Sequence, residues 1–154
     1  MEIEQLVSKN LQDGVLNLEN LKIGAEGAKK LAFIEAMTEV TNLELGDNEI
    51  GNEGVEAICK SPYFTRLKVL NLKSNDITEE GARWLAECKN LSNLDQLVLK
   101  FNRIGEEGAK CLAASEYLSQ ITTLDLFRNQ VGQEGSRAIK ASPHLKRLNR
   151  LRLD

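Results

Sequence analysis

The chain has 154 residues, 42% of them hydrophobic and 28% charged, with a formal net charge of −3, the balance of one soluble domain able to bury about 70% of its unfolded surface. Its lysines and arginines are scattered, which excludes the basic field that phosphate-backbone binding needs, so no nucleic-acid partner is expected. No stretch approaches the roughly 20 apolar residues of a membrane span and no apolar run of signal-peptide length opens the chain, so no membrane partner, no Sec export and a cytoplasmic location are expected.

Residues 1–12 read as an N-terminal cap in which Ile3, Leu6, Val7 and Leu11 lay one apolar face over the open end of the core built by the rest of the chain. From residue 13 a pattern returns every 27 residues: Glu-Gly pairs end at Gly27, Gly54, Gly81, Gly108 and Gly135. One leucine column runs Leu16, Leu43, Leu70, Leu97, Leu124, Leu151, a second Leu18, Leu45, Leu72, Leu99, Leu126, Leu153, and Asn48, Asn75, Asn102 and Asn129 form a third column that Leu21 breaks. The expected divisions of this single domain are repeats 13–39, 40–66, 67–93, 94–120 and 121–147 and a final partial repeat 148–154. Within a period the rhythm changes from Leu70-x-Leu72 alternation, which suits a strand, to Gly81-Ala82, Leu85 and Ala86, which suit one helix face. One strand and one helix per period stack as a parallel sheet backed by helices. Helices are about twice as wide as the roughly 4.8 Å strand spacing, so the stack curves with strands inside.

The combination L-x-x-L-x-L-x-x-N-x-I followed by G-x-E-G-A-x-x-L-A resembles the leucine-rich repeats of the ribonuclease-inhibitor-like superfamily, over residues 13–154. The resemblance implies an α/β right-handed solenoid, a leucine-rich-repeat horseshoe with its parallel sheet concave and its helices convex. It also implies a non-catalytic module that binds a protein partner through the concave face. The uniform period resembles repeats of bacterial proteins, including regulatory proteins and effectors of intracellular pathogens, for which delivery to a host cell would be implied. The two alternating repeat types and many cysteines of ribonuclease inhibitor are missing, so ribonuclease inhibition is not carried over.

An inward asparagine has donors and an acceptor for peptide groups left unpaired where the chain leaves the strand, so the Asn column is expected to be structural. Glutamate in the first helical turn favours the helix dipole and the glycine beside it admits a neighbouring helix, which explains the Glu-Gly pairs without acid–base catalysis. Cys59, Cys88 and Cys111 lack CxxC spacing, and with His144 the only histidine, no metal site or cofactor is expected. Inert packing is the expected role of the cysteines, a solvated loop that of His144, and packing against adjacent helices that of Trp84, with a binding anchor on the convex face as the alternative for Trp84. No nucleophile–base pair or phosphate-cradling loop supports an enzyme.

Side chains alternating with the inward leucines face the concave side. There Glu19, Glu44 and Asp47 make an acidic end, Lys73 and Lys100 sit as like charges in the middle, and Phe101 and Phe127 meet Arg128. The candidate partner-binding set is Phe101, Phe127, Arg128, Lys73, Lys100, Asp125, Asn71, Val98, Arg152, Glu44 and Asp47, aromatics and Arg being enriched in interface hot spots. The bland alternative at its centre is Lys100 stacked on Phe127 and Phe101 partly covering an edge of the core. The alternative function is a self-associating assembly unit, a homodimer through the C-terminal strand edge, where no helix comes after "LNRLRLD".

Overall fold

In the computed structural model, which describes residues 1–154, α1 (Ile3–Asn10) leads into the hairpin β1 (Leu11–Gln12) and β2 (Val15–Asn17). Helices and strands then alternate: α2 (Gly24–Leu31), β3 (Asn42–Glu44), α3 (Gly51–Lys60), β4 (Val69–Asn71), α4 (Glu79–Ala86), β5 (Gln96–Val98), α5 (Gly105–Ala113), β6 (Thr123–Asp125), α6 (Gly132–Lys140) and β7 (Arg150–Arg152). The seven strands form one open sheet in chain order. From β2 to β7 they are parallel, with Leu16, Leu43, Leu70, Leu97, Leu124 and Leu151 in register. The exception is β1, antiparallel to β2. Leu11, expected on the helix face, belongs to this strand because Asp13 and Gly14 turn with φ of 51° and 79°, the left-handed pair of a tight hairpin.

The two leucine columns lie between sheet and helices in one continuous core with Ile50, Ile77 and Ile104. Above it runs the asparagine ladder, and its direction explains Leu21. Asn102 accepts from the N–H groups of Asn75 and Ile77, at 2.9 and 3.0 Å, and donates to the carbonyls of Leu72 and Leu99, at 2.9 and 2.8 Å. Asn75 serves Asn48, Ile50 and Leu45 in the same way, and Asn48 serves Leu21, Ile23 and Leu18. Each asparagine therefore completes the coil before it. The first coil has no such neighbour to serve, and leucine suffices there.

The Glu-Gly pairs are a packing device. A Cβ on Gly54 would lie 3.1 Å from the Cβ of Ala28, and one on Gly135 would lie 3.1 Å from that of Ala109. One coil departs from the rule. Where Gly51, Gly105 and Gly132 open their helices at left-handed φ, Thr78 is extended, with φ of −112°. Asn52 of the preceding coil compensates, accepting from the N–H groups of Thr78 and Gly81, each at 3.0 Å, and donating to the Thr78 hydroxyl. A second ladder closes the helix exits: the hydroxyls of Ser61, Ser115 and Ser142 donate to the carbonyls of Ala32, Ala86 and Ala113. Cys88 occupies the same position in its coil, its Sγ 4.0 Å from the Cys59 carbonyl oxygen.

Candidate functional site

The residue just before each ladder asparagine must turn left-handed, and Asn20, Asp47, Ser74, Phe101 and Arg128 do so with φ of 58°, 57°, 52°, 60° and 59°. Asn and Asp tolerate this region; a bulky side chain is disfavoured there. Phe101 is nevertheless 46% exposed, so neither backbone conformation nor core packing accounts for phenylalanine at this position. Its ring meets that of Phe127 edge-on, centroids 5.9 Å apart, a favourable aromatic geometry.

The guanidiniums of Arg128 and Arg152 lie 5.4 and 4.8 Å from the Phe127 ring centroid. Arg152, and not Lys100, therefore supplies the stacking cation from the neighbouring strand. Asp125 explains the choice: its Oδ2 is 3.3 Å from the Arg152 guanidinium while its Oδ1 accepts from the Phe127 N–H at 3.1 Å, and a planar guanidinium can pair and stack at once. Asp125 is only 8% exposed, so it positions Arg152 and Phe127 and offers a partner little surface of its own.

The expected like-charge contact in the middle is relieved. Lys73 pairs with Asp47 at 2.9 Å, and the Asp47 carboxylate, chiefly through this hydrogen bond, holds the Lys73 pKa above the ordinary lysine value. Lys100 and Val98 stay half-buried between the two ends. Asn71 accepts from the Lys73 N–H at 3.0 Å and donates to two carboxylates, Glu19 at 3.0 Å and Glu44 at 2.7 Å.

Sequence reasoning places Glu19 and Arg150 on the concave rows but outside the candidate set. The signal for Glu19 is Gly46, which comes after it in a column of longer side chains. A Cβ on Gly46 would lie 2.7 Å from Glu19 Oε1, so its absence lets Glu19 cross one coil to reach Asn71. Arg150 is exposed on β7, in register with Thr123 of β6.

On the helix side, the Lys60 ammonium sits 4.7 Å from the Trp84 ring centroid, and the half-buried indole packs on the core. A depression of about 560 Å³ runs along α4 there and is lined by Glu79, Glu80 and Trp84 among others. Hydrogen bonding with Cys88, and after it burial, pushes the Cys59 thiol well above its usual range, the opposite of an activated nucleophile. No three His, Cys, Asp or Glu side chains converge as metal ligands would, and no helix is long and apolar enough to cross a membrane.

A family model described as "Leucine Rich repeat" matches residues 37–59, 65–86, 90–113 and 119–140, more than half of the chain. No curated protein matches the sequence. Among solved structures, the actin-binding site 2 of leiomodin-1 is similar at 18% identity and a TM-score of 0.51, covering 99% of this chain and 77% of its own. An internalin from Listeria monocytogenes is similar at 21% identity and a TM-score of 0.47, over 80% of this chain and 36% of its own. At 18% identity the likeness to leiomodin-1 is one of fold.

Proposed function

The chain belongs to the leucine-rich-repeat family, whose repeats serve in protein–protein interaction, and from that premise we propose that it is a non-catalytic module binding a protein partner through its concave sheet face, centred on Phe101. The observation that carries this reading is an exposed phenylalanine at a left-handed backbone position. Strain at such a position is retained where it serves function, since the fold would be better served by Asn or Asp. Phe127, Arg128 and Arg152 complete an aromatic–arginine surface of the composition that dominates binding hot spots. The stacked coils hold these side chains in place beforehand, which lowers the ordering cost of binding.

The test uses wild type and Phe101→Asn as paired baits for affinity capture from cells, with titration of the purified partner afterwards. The expected loss for the variant is about 2 kcal/mol or more, a hot-spot effect. A partner bound equally well by both would sink the assignment.

Self-association is a second reading, favoured by β7, which pairs with β6 on one edge and leaves the other unpaired beside half-buried Leu151 and Leu153. Light scattering over a concentration series tests it: a molecular mass constant at the monomer value at high concentration removes it.

A further inference from the structure

We infer that the partner is a polypeptide segment of opposed charge, laid across the strands in one direction with a Lys or Arg over Glu19 and Glu44, an apolar side chain on Phe101 and Phe127, and an Asp or Glu beside Arg128 and Arg152. The inference rests on the reading of the concave face as the binding surface and concerns which chemistry that face selects.

At the acidic end, two carboxylates are drawn onto one amide, Asn71 Nδ2, at 3.0 Å for Glu19 and 2.7 Å for Glu44. The cation closest at hand, Lys73, is committed to Asp47 at 2.9 Å, and neither Glu19 nor Glu44 forms an ion pair. Two carboxylates held this close repel one another until a cation joins them. The scaffold does not require this convergence, since the same column offers Asn17 at the strand of the first coil and Val98 at that of the fourth.

At the far end the imbalance reverses. Arg128 and Arg150 are exposed and form no ion pair, and Arg152 has only the largely buried Asp125, at 3.3 Å. The Arg128 and Arg152 guanidiniums lie 5.4 and 4.8 Å from the Phe127 ring centroid, so a carboxylate bound there would sit beside an apolar side chain seated on Phe101. Glu44 belongs to β3 and Arg128 lies three residues past Asp125, its register counterpart on β6, about 14 Å across the strands and about 10 Å along them, or about 17 Å apart. An extended segment covers that span in about four to five residues at roughly 3.4 Å each. A polyphosphate chain would meet Glu19 and Glu44 as repulsion, so the complementarity favours a peptide over a nucleic acid.

Short random peptides of about 12 residues, displayed on phage, are selected on the immobilised full chain at low salt. Enriched peptides are then titrated by fluorescence anisotropy against wild type, Phe101→Asn, the pair Glu19→Gln and Glu44→Gln, and the pair Arg128→Gln and Arg152→Gln. Circular dichroism confirms that each variant is folded. The expected peptides carry a basic and an acidic residue four or five positions apart around an aromatic or aliphatic one. Each charge pair should weaken binding about five- to tenfold at low salt and much less at high salt. Peptides that need Phe101 but ignore both charge pairs overturn the inference and leave the protein-binding reading standing. Peptides that bind Phe101→Asn as well as wild type, or a selection yielding no Phe101-dependent clone, overturn both.

Discussion

At the left-handed turn before the asparagine ladder, the first three coils carry Asn20, Asp47 and Ser74, whereas the next two carry Phe101 and Arg128, all with φ between 52° and 60°. The backbone demand is the same in both halves. The N-terminal half answers it with short polar residues that suit the conformation, and its Asp47 also pairs with Lys73. The C-terminal half accepts bulk and strain, and gathers two phenylalanines and two stacked guanidiniums instead. At this turn the N-terminal half serves the scaffold, whereas the C-terminal half spends stability on a surface.

The ladder beneath both halves is shared, so its loss should hurt them alike. Asn102→Ala strands the N–H groups of Asn75 and Ile77 and the carbonyls of Leu72 and Leu99 in the interior. We expect a destabilisation of about 3–5 kcal/mol in urea unfolding. Asn75→Ala should match it within about 1 kcal/mol, given the same type of partners. A loss confined to one half would mean that the coils are less equivalent than their hydrogen bonds.

Exchanging the turn residues breaks the comparison directly. Asp47→Phe places a bulky residue at φ 57° and removes the Lys73 pair, and should cost about 1–2 kcal/mol. Phe101→Asn should do the reverse, raising stability by about 0.5–1 kcal/mol because asparagine tolerates the left-handed region, while binding falls. Thermal melts of the two variants check the signs. If Phe101→Asn proves markedly destabilising, Phe101 is a packing residue and the functional argument fails.

The periodic columns make the fold legible, since a leucine at every 27th position and a ladder asparagine state where the core and the turn must be. Features that depend on contact between different columns are less so. Asn52 caps the N-terminus of α4 because Thr78 replaces the helix-opening glycine, and a coil read alone does not reveal it. Glu19 reaching Asn71 requires Gly46 to be empty, a relation spanning three coils. Phe101, Phe127 and Arg128 are legible as outliers from their columns, but Arg152 displacing Lys100 over the ring depends on the anchoring carboxylate of Asp125.

The helix-exit ladder offers a smaller test on the opposite side of the molecule. Cys88 stands where Ser61, Ser115 and Ser142 donate to the preceding coil, with its sulfur 4.0 Å from the carbonyl oxygen of Cys59. A thiol is a weak donor, so Cys88→Ser should strengthen this rung and stabilise the chain by about 0.5–1 kcal/mol. A lower melting temperature would show that burial of the sulfur outweighs the hydrogen bond.

The smallest expected effect is a pH dependence at the Lys73–Asp47 pair of the N-terminal half. Lys73, with its pKa raised by Asp47, contributes stability that is fully present below the ordinary lysine value of about 10.4 and is lost as pH rises through its higher folded value. Both partners are about one-third exposed or more, at 32% and 40%, so solvent screening keeps the contribution under about 1 kcal/mol. The difference in stability between wild type and Lys73→Met should therefore shrink above about pH 10.5. Denaturant midpoints at neutral and alkaline pH make the comparison, and a Lys73 difference that survives unchanged would show that its methylene stem, not its charge, supports the middle of the sheet.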